Sequence, residues 1–255
     1  MSLDLKAILA NPDALAALER EHERRSLNRL ESMFPDTGPL RRELYVKHLE
    51  FFDRSREYNE ILFLAANKVG KSVAGSFAAA LHATGKYPKW WTGRRFNHPT
   101  VGWACNNTNI DCRDINQFEL LGQPGQFGTG MIPSADILNN KPKPSVPDAI
   151  ETTYVRHISG GQSMIVYKAY EQGREKFQGR NIHWIWGDEE VPDDIYTEML
   201  MRIMTTDGLI FLTYTPIRGL TPLTVQFLKT AVNKKDLPIQ YTDNDKRKQD
   251  SAKVG

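Results

Sequence analysis

Short apolar-rich runs recur along this chain, each closed by a polar or glycine-containing break. Residues 61–65 read ILFLA, 100–105 TVGWAC, 182–186 IHWIW and 209–212 LIFL. Strands of a parallel sheet look like this, because helices cover both faces and leave no solvent side to be polar. Helix-like stretches lie between them. After Lys71 comes SVAGSFAAALHA, rich in the residue that enters a helix at least cost. Leu44, His48, Phe51 and Phe52 recur at helical spacing within LRRELYVKHLEFF and predict a helix laid against the sheet. Residues 111–121 and 195–204 predict two more. Strands starting near Ile61, Thr100, Ser163, Ile182 and Leu209, with helices between, make an α/β domain of three layers with a mainly parallel central sheet.

The remaining segments set the domain limits. Residues 152–158 and 163–169 flank Ser159-Gly160-Gly161-Gln162, a hairpin signal. Residues 122–147, rich in Gly, Pro, Asn and Ser, predict a long loop with room for short elements. Residues 3–33 carry helix formers, broken at Pro12 and Asp13, and a charged run over 19–25 that reads as a solvated helix face. Pro35, Gly38 and Pro39 end that stretch. The expected division is a helical preface over 1–38, acting as lid or arm, a main domain over 39–230, and a C-terminal strand with a charged tail over 231–255. No internal repeat or low-complexity tract interrupts it.

Composition narrows the function classes. With 33 basic and 31 acidic residues the net charge is +2, so any DNA contact must use a local patch. The two cysteines, Cys105 and Cys112, have neither metal-site nor disulfide spacing, which suits a reducing cytoplasm and a place in or near the core. Residues 2–13 lack an export signal, and no apolar run approaches membrane-spanning length. Within KWWTGRR, residues 89–95, Trp90 and Trp91 beside Arg94 and Arg95 either stack on nucleic acid or pack as a pair at a helix end.

Three stretches carry candidate chemistry. A strand entering a helix through Gly70-Lys71-Ser72 aims backbone N–H groups and the positive helix end at one point, where Lys71 adds a full charge. A nucleoside triphosphate belongs there. The P-loop pattern is G-x-x-x-x-G-K-[ST], and Ala65 stands where its first glycine is expected; an ordinary strand-to-helix turn is the alternative. Next, IHWIWGDEE over 182–190 places acids at the carboxyl edge of a sheet, where open α/β folds bind ligands. Asp188 would hold Mg²⁺, directly or through water, across from Ser72, and Glu189 would polarise the water attacking the γ-phosphate. Glu190, Asp193 and Asp194 read as caps of the following helix, with a nuclease-type metal cluster as the alternative. Last, Thr213, Tyr214 and Thr215 end the run over 209–212 with hydroxyls that can sense a γ-phosphate, unless they are only a polar strand end stopped by Pro216.

Together these residues resemble the ATPase motor of tailed-bacteriophage large terminases, the enzymes that pump viral DNA into empty capsids. The resemblance covers about 45–228. It rests on KHLEFF at 47–52, AANKVGKS at 65–72, YEQGREKFQGRNIHWIWGDEE at 170–190 and RIMTTDGLIFLTYTPIRGLT at 202–221. The third is the most specific, since general P-loop ATPases lack it.

What the resemblance implies is a P-loop NTPase of the catalytic-glutamate class, using ATP and Mg²⁺. Lys71 and Ser72 match the Walker A lysine and hydroxyl, and Ala65, Ala66, Asn67, Lys68, Val69 and Gly70 the rest of the ATP-binding loop. Asp188 and Glu189 match the Walker B aspartate and catalytic glutamate. Thr213 and Thr215 fall in the coupling motif. His48 stands where many relatives carry a Gln that reads adenine. Some terminases carry an Arg inside the P-loop; here Asn67 and Lys68 occupy that region, so the charge that steadies the transition state must come from Lys68 or from an Arg elsewhere. Arg174 and Arg180 lie where family members can present an Arg finger to a neighbouring subunit, or are surface residues.

Implied partners are double-stranded DNA, a portal protein, a small terminase subunit and further copies in a ring, with no membrane. The implied place is the host cytoplasm, transiently docked on the capsid portal. Lys89, Arg94, Arg95 and Lys141 are candidates for a DNA track read through phosphates. The family's nuclease domain is not expected in this sequence, nor is nuclease activity: either the sequence is a motor part of a longer protein or cutting belongs to another chain. A helicase-like translocase and a nucleotide-binding switch without turnover remain as other classes.

Overall fold

The computed structural model describes residues 28–217 and 219–230, together with Asp13 and Ala16. Most of the expected preface over 1–38 and all of the tail over 231–255 lie outside the described residues. Among those described, seven strands share one sheet: β1 Glu60–Leu64, β2 Val101–Asn106, β3 Ile137–Pro142, β4 Ile150–Arg156, β5 Gln162–Ala169, β6 Trp184–Asp188 and β7 Leu209–Tyr214. Their order is β1-β7-β6-β2-β5-β4-β3. The pairs from β1 through β5 are parallel, and β5-β4-β3 continues antiparallel through the predicted hairpin. All five expected strands are present, and β7 lies between the strand that feeds the phosphate loop and the strand that ends in acids.

The longer helices among the described residues are α1 Val46–Arg54, α2 Lys71–Thr84, α3 over 109–121 with a π-helical middle at Cys112–Gln117, α4 Asp193–Ile203 and α5 Pro222–Thr230. Alternate strand residues feed two cores. Trp184, Trp186, Leu209 and Phe211 pack toward α1, α2 and α3, while Ile185, Ile210, Leu212 and Tyr214 pack toward α4 and α5. That is why the strand runs contain no polar alternation: each face has a helical cover. Cys105 and Cys112 are both buried and free. Leu30 and Phe34, at the end of the expected preface, join the first core.

β3 crosses the region expected as a long loop. It is an edge strand whose sequence, ILNNKP, alternates poorly, is mostly solvent-facing and pairs with β4 through two register shifts. Proline and a charged residue on an exposed edge discourage pairing with another chain, and the same residues remove the apolar signature.

The tryptophan pair packs. Trp90 lies parallel to Phe77 with ring centroids 6.0 Å apart, and Trp91, 3% exposed, lies 5.0 Å from Phe52. Arg94 donates to the Asp207 carbonyl and to Asn59 Oδ1, Arg95 donates to the Trp91 carbonyl and covers the Tyr87 ring, and Lys141 pairs with Glu151. Three of the four candidate DNA-track cations therefore have protein partners, and Lys89 is exposed.

α2 sits unusually close to β6 at Gly75, where a Cβ would lie 2.2 Å from Trp186 Nε1. In an exposed helix Gly→Ala stabilises by about 1 kcal/mol. Here the sign should reverse: Gly75→Ala must push α2 off the sheet or displace a buried indole, and is expected to destabilise by about 1–3 kcal/mol. Thermal denaturation checks this, and a Tm at or above that of the wild type would contradict it.

Candidate active site

The loop between β1 and α2 turns at two left-handed residues, Lys68 at φ 64° and Gly70 at φ 83°. Ala65 does not turn; its N–H reaches the Tyr214 carbonyl at 3.4 Å and extends the β1-β7 pairing. The glycine missing at position 65 is therefore not needed for this backbone. Gly70 is favoured for its φ of 83°, a conformation that L side chains rarely adopt. From there α2 begins directly at Lys71, so its free N–H groups and positive end point back over the loop.

Lys71 Nζ donates to the Ala66 carbonyl and to Thr215 Oγ1, both at 2.8 Å. Burial lowers its pKa, opposed by the nearby Glu189 and Asp188 carboxyls. Thr215 in turn has Ala65 O at 3.0 Å and Asn67 Oδ1 at 2.7 Å within reach of its own proton. The residue expected to couple thus holds both the lysine and the loop. β7 makes this possible, because only a strand adjacent to β1 can set Thr215 beside the loop.

Thr213, two residues earlier, does something else. It accepts from Trp186 Nε1 at 2.8 Å and donates to Asp188 Oδ1 at 2.6 Å. Ser72 Oγ lies 2.9 and 3.1 Å from the two oxygens of the same carboxylate. Asp188 is 2% exposed, and burial pushes its pKa up to about 7 against the hydrogen bonds from Thr213 and Ser72. Its carboxylate and the Ser72 hydroxyl are adjacent oxygen donors that could hold one small hard cation. The sequence does not single out Trp186, because an apolar strand residue shows no sign that its indole N–H orients a neighbour.

Glu189 follows at φ 71°, a conformation that costs a non-glycine residue roughly 1–3 kcal/mol and is found at sites where geometry is enforced. Its N–H bonds to the Thr213 carbonyl at 3.1 Å, which fixes the turn. Burial raises its pKa, partly offset by Lys71. Among the described residues the acids over 188–194 do not gather into a metal cluster. Glu190 bonds to Thr221 and Thr224 rather than capping α4.

His48 reaches the loop from α1. Its Nε2 lies 3.1 Å from the Val69 carbonyl, and since a carbonyl only accepts, Nε2 carries the proton. The ring is buried against Phe34, Tyr45 and Phe63, and burial lowers its pKa. Through this nitrogen His48 supports the backbone of the loop.

The two arginines separate. Arg174 donates through Nε and Nη2 to buried Glu198 at 2.8 and 2.6 Å, on the α4 face. Arg180 is exposed, its Nη1 3.5 Å from Met164 Sδ near the start of β5. That is the amino edge of the parallel strands, whereas Lys71, Ser72, Asp188 and Glu189 lie at the carboxyl edge.

Comparison with known proteins gives the family. A family model described as "Terminase large subunit, T4likevirus-type, N-terminal" matches residues 62–253. The terminase large subunit of Salmonella phage P22 is 34% identical over 253 residues, covering 89% of this chain and 49% of that protein. The chain thus spans about half the length of the curated relative it matches. In architecture it is similar to the large terminase of a thermophilic bacteriophage, with a TM-score of 0.50 over 72% of this chain and 42% of that one at 12% identity, a likeness of fold. Among the described residues no helix is long and apolar enough to cross a membrane. With a mainly parallel sheet, a match to that family model over residues 62–253 and 34% identity to a terminase large subunit across 89% of its own length, the chain belongs to the terminase large subunit family, in its N-terminal region.

Proposed function

We propose that this chain binds ATP with Mg²⁺ and hydrolyses it, and that turnover drives double-stranded DNA into a preformed capsid. The observation that carries this is the convergence of Lys71, Ser72, Asp188 and Glu189 at one sheet edge, with Thr215 bonded directly to Lys71. The loop N–H groups and Lys71 would hold the β- and γ-phosphates, and Ser72 and Asp188 the metal. The metal would screen the charge on the phosphates when bound. Glu189 would orient the attacking water and take up its proton. Lys71 Nζ uses two of its three donors on Ala66 O and Thr215 Oγ1, so a γ-phosphate drawing on this ammonium would shift its bond to Thr215 and report phosphate occupancy to β7.

Arg180, at the far edge of the sheet, would serve a neighbouring copy's nucleotide rather than its own, and Arg174 would first have to leave Glu198. Lys68, on the loop itself, is the cation available in cis. The portal, small subunit and ring assembly, and docking in the host cytoplasm, belong to the same proposal. So do the limits of the ATPase domain at 39–230.

Steady-state ATP hydrolysis across protein concentrations, with and without double-stranded DNA, tests it. The expected result is Mg²⁺-dependent turnover, stimulated by DNA and rising faster than protein concentration as copies complete each other's sites. Tight ATP binding with no turnover under any of these conditions would leave a nucleotide-binding switch as the better account.

A further inference from the structure

We propose that Glu190 is a positioning residue that ties the phosphate-reading end of the sheet to α5, so that nucleotide state is passed to that helix. This rests on the reading of the site as an ATPase. Glu190 directly follows Glu189, yet its side chain leaves the site. Both Thr221 and Thr224 hydroxyls donate to its Oε1, the second at 3.3 Å. The Thr224 hydroxyl also lies 2.9 Å from the Tyr214 hydroxyl, and either of the two can donate in that bond; Tyr214 is fully buried and directly precedes Thr215. The Thr224 N–H points to Thr221 Oγ1 at 3.3 Å, and the Val225 N–H to the Thr221 carbonyl at 2.8 Å.

The first turn of α5 is therefore held from two sides: by Glu190 beside the acid end of β6, and by Tyr214 beside Thr215 at the end of β7. These are the two strand ends that face the phosphate loop. A change at either, such as Lys71 exchanging Thr215 for a phosphate, reaches α5 through rigid hydrogen bonds rather than through loop backbone alone. The carboxylate also sits where negative charge favours a helix start.

The test compares Glu190→Ala with Glu190→Gln and Thr221→Val in the intact protein. Gln keeps an acceptor oxygen for both hydroxyls and should behave close to wild type, whereas a metal ligand or proton acceptor would be lost in either variant. Glu190→Ala and Thr221→Val should lower DNA-stimulated kcat about tenfold or more with KM for ATP nearly unchanged. Hydrogen exchange supplies a readout besides activity: amides over 223–230 should differ between nucleotide-free and ADP·Mg²⁺-bound wild type, and in Glu190→Gln, but lose that difference in Glu190→Ala. Equal nucleotide response in Glu190→Ala and wild type would overturn the inference, as would Glu190→Gln failing as badly as Ala. A wild type that binds ADP without hydrolysing ATP would instead sink the ATPase reading and leave the exchange comparison standing.

Discussion

Glu189→Gln should cut ATP turnover by about 10²–10⁴-fold while leaving ATP affinity close to wild type. The substitution is nearly isosteric, so it keeps the shape at φ 71° and the backbone bond to Thr213. What it removes is the ability to accept a proton. Burial already moves the Glu189 carboxyl above the ordinary glutamate range, with Lys71 pulling the other way. A raised pKa makes the carboxylate a stronger base at neutral pH, and it predicts that the acid limb of the kcat/KM profile lies above the usual glutamate value of about 4.3. Steady-state kinetics against pH measures both. A variant that retains turnover within a few-fold of wild type would remove Glu189 from its assigned role.

Asp188→Asn should show opposite effects on activity and stability. Losing the metal-holding charge removes several kcal/mol of transition-state stabilisation, at least about 10²-fold in rate. Without Mg²⁺, however, the wild-type carboxyl is held at a pKa of about 7, against 3.8 ordinarily. A pKa raised in the fold means stability that is fully present below about 3.8 and is lost as pH rises through about 7. The loss is on the order of 4 kcal/mol once the group is charged. Asparagine cannot ionise, and its amide can still meet both Thr213 and Ser72. Thermal denaturation in chelator should therefore show Asp188→Asn gaining over wild type as pH goes from 5 to 8. Added Mg²⁺ at pH 8 should restore the wild type and leave the variant unchanged. Parallel pH curves for the two proteins would contradict the assignment of a buried, charge-averse carboxyl.

These two mutation-sensitive positions are visible in the sequence because each is part of a short local pattern. An apolar run followed by Asp188 and Glu189 ends a buried strand in acids, and Gly70-Lys71-Ser72 before an alanine-rich helix presents N–H groups and a cation. Other site features are hidden for a common reason. Trp186 supports Asp188 through Thr213, 27 positions away, and Glu190 finds Thr221 31 positions on, whereas the nearer helix is its expected partner. The bonds Arg94 makes within the fold are likewise hidden, because Asn59 and the Asp207 carbonyl lie far off in the chain. β3 is obscured by the polar and proline residues that make an exposed edge safe.

Local sequence is enough for the layered α/β class, the five parallel strands, the phosphate loop and the acid pair. All of these follow from backbone period, helix propensity and residue chemistry within about ten neighbouring positions. It takes the folded sheet to set β7 between β1 and β6, to give Lys71 to Thr215 and Asp188 to Thr213, to put His48 behind the loop, and to let Glu190 grip α5. Those outcomes depend on which strand lies beside which and on the distance between side chains remote in sequence. A hydrogen bond exists only within about 3.5 Å and near-linear geometry, a condition set by packing of the whole domain.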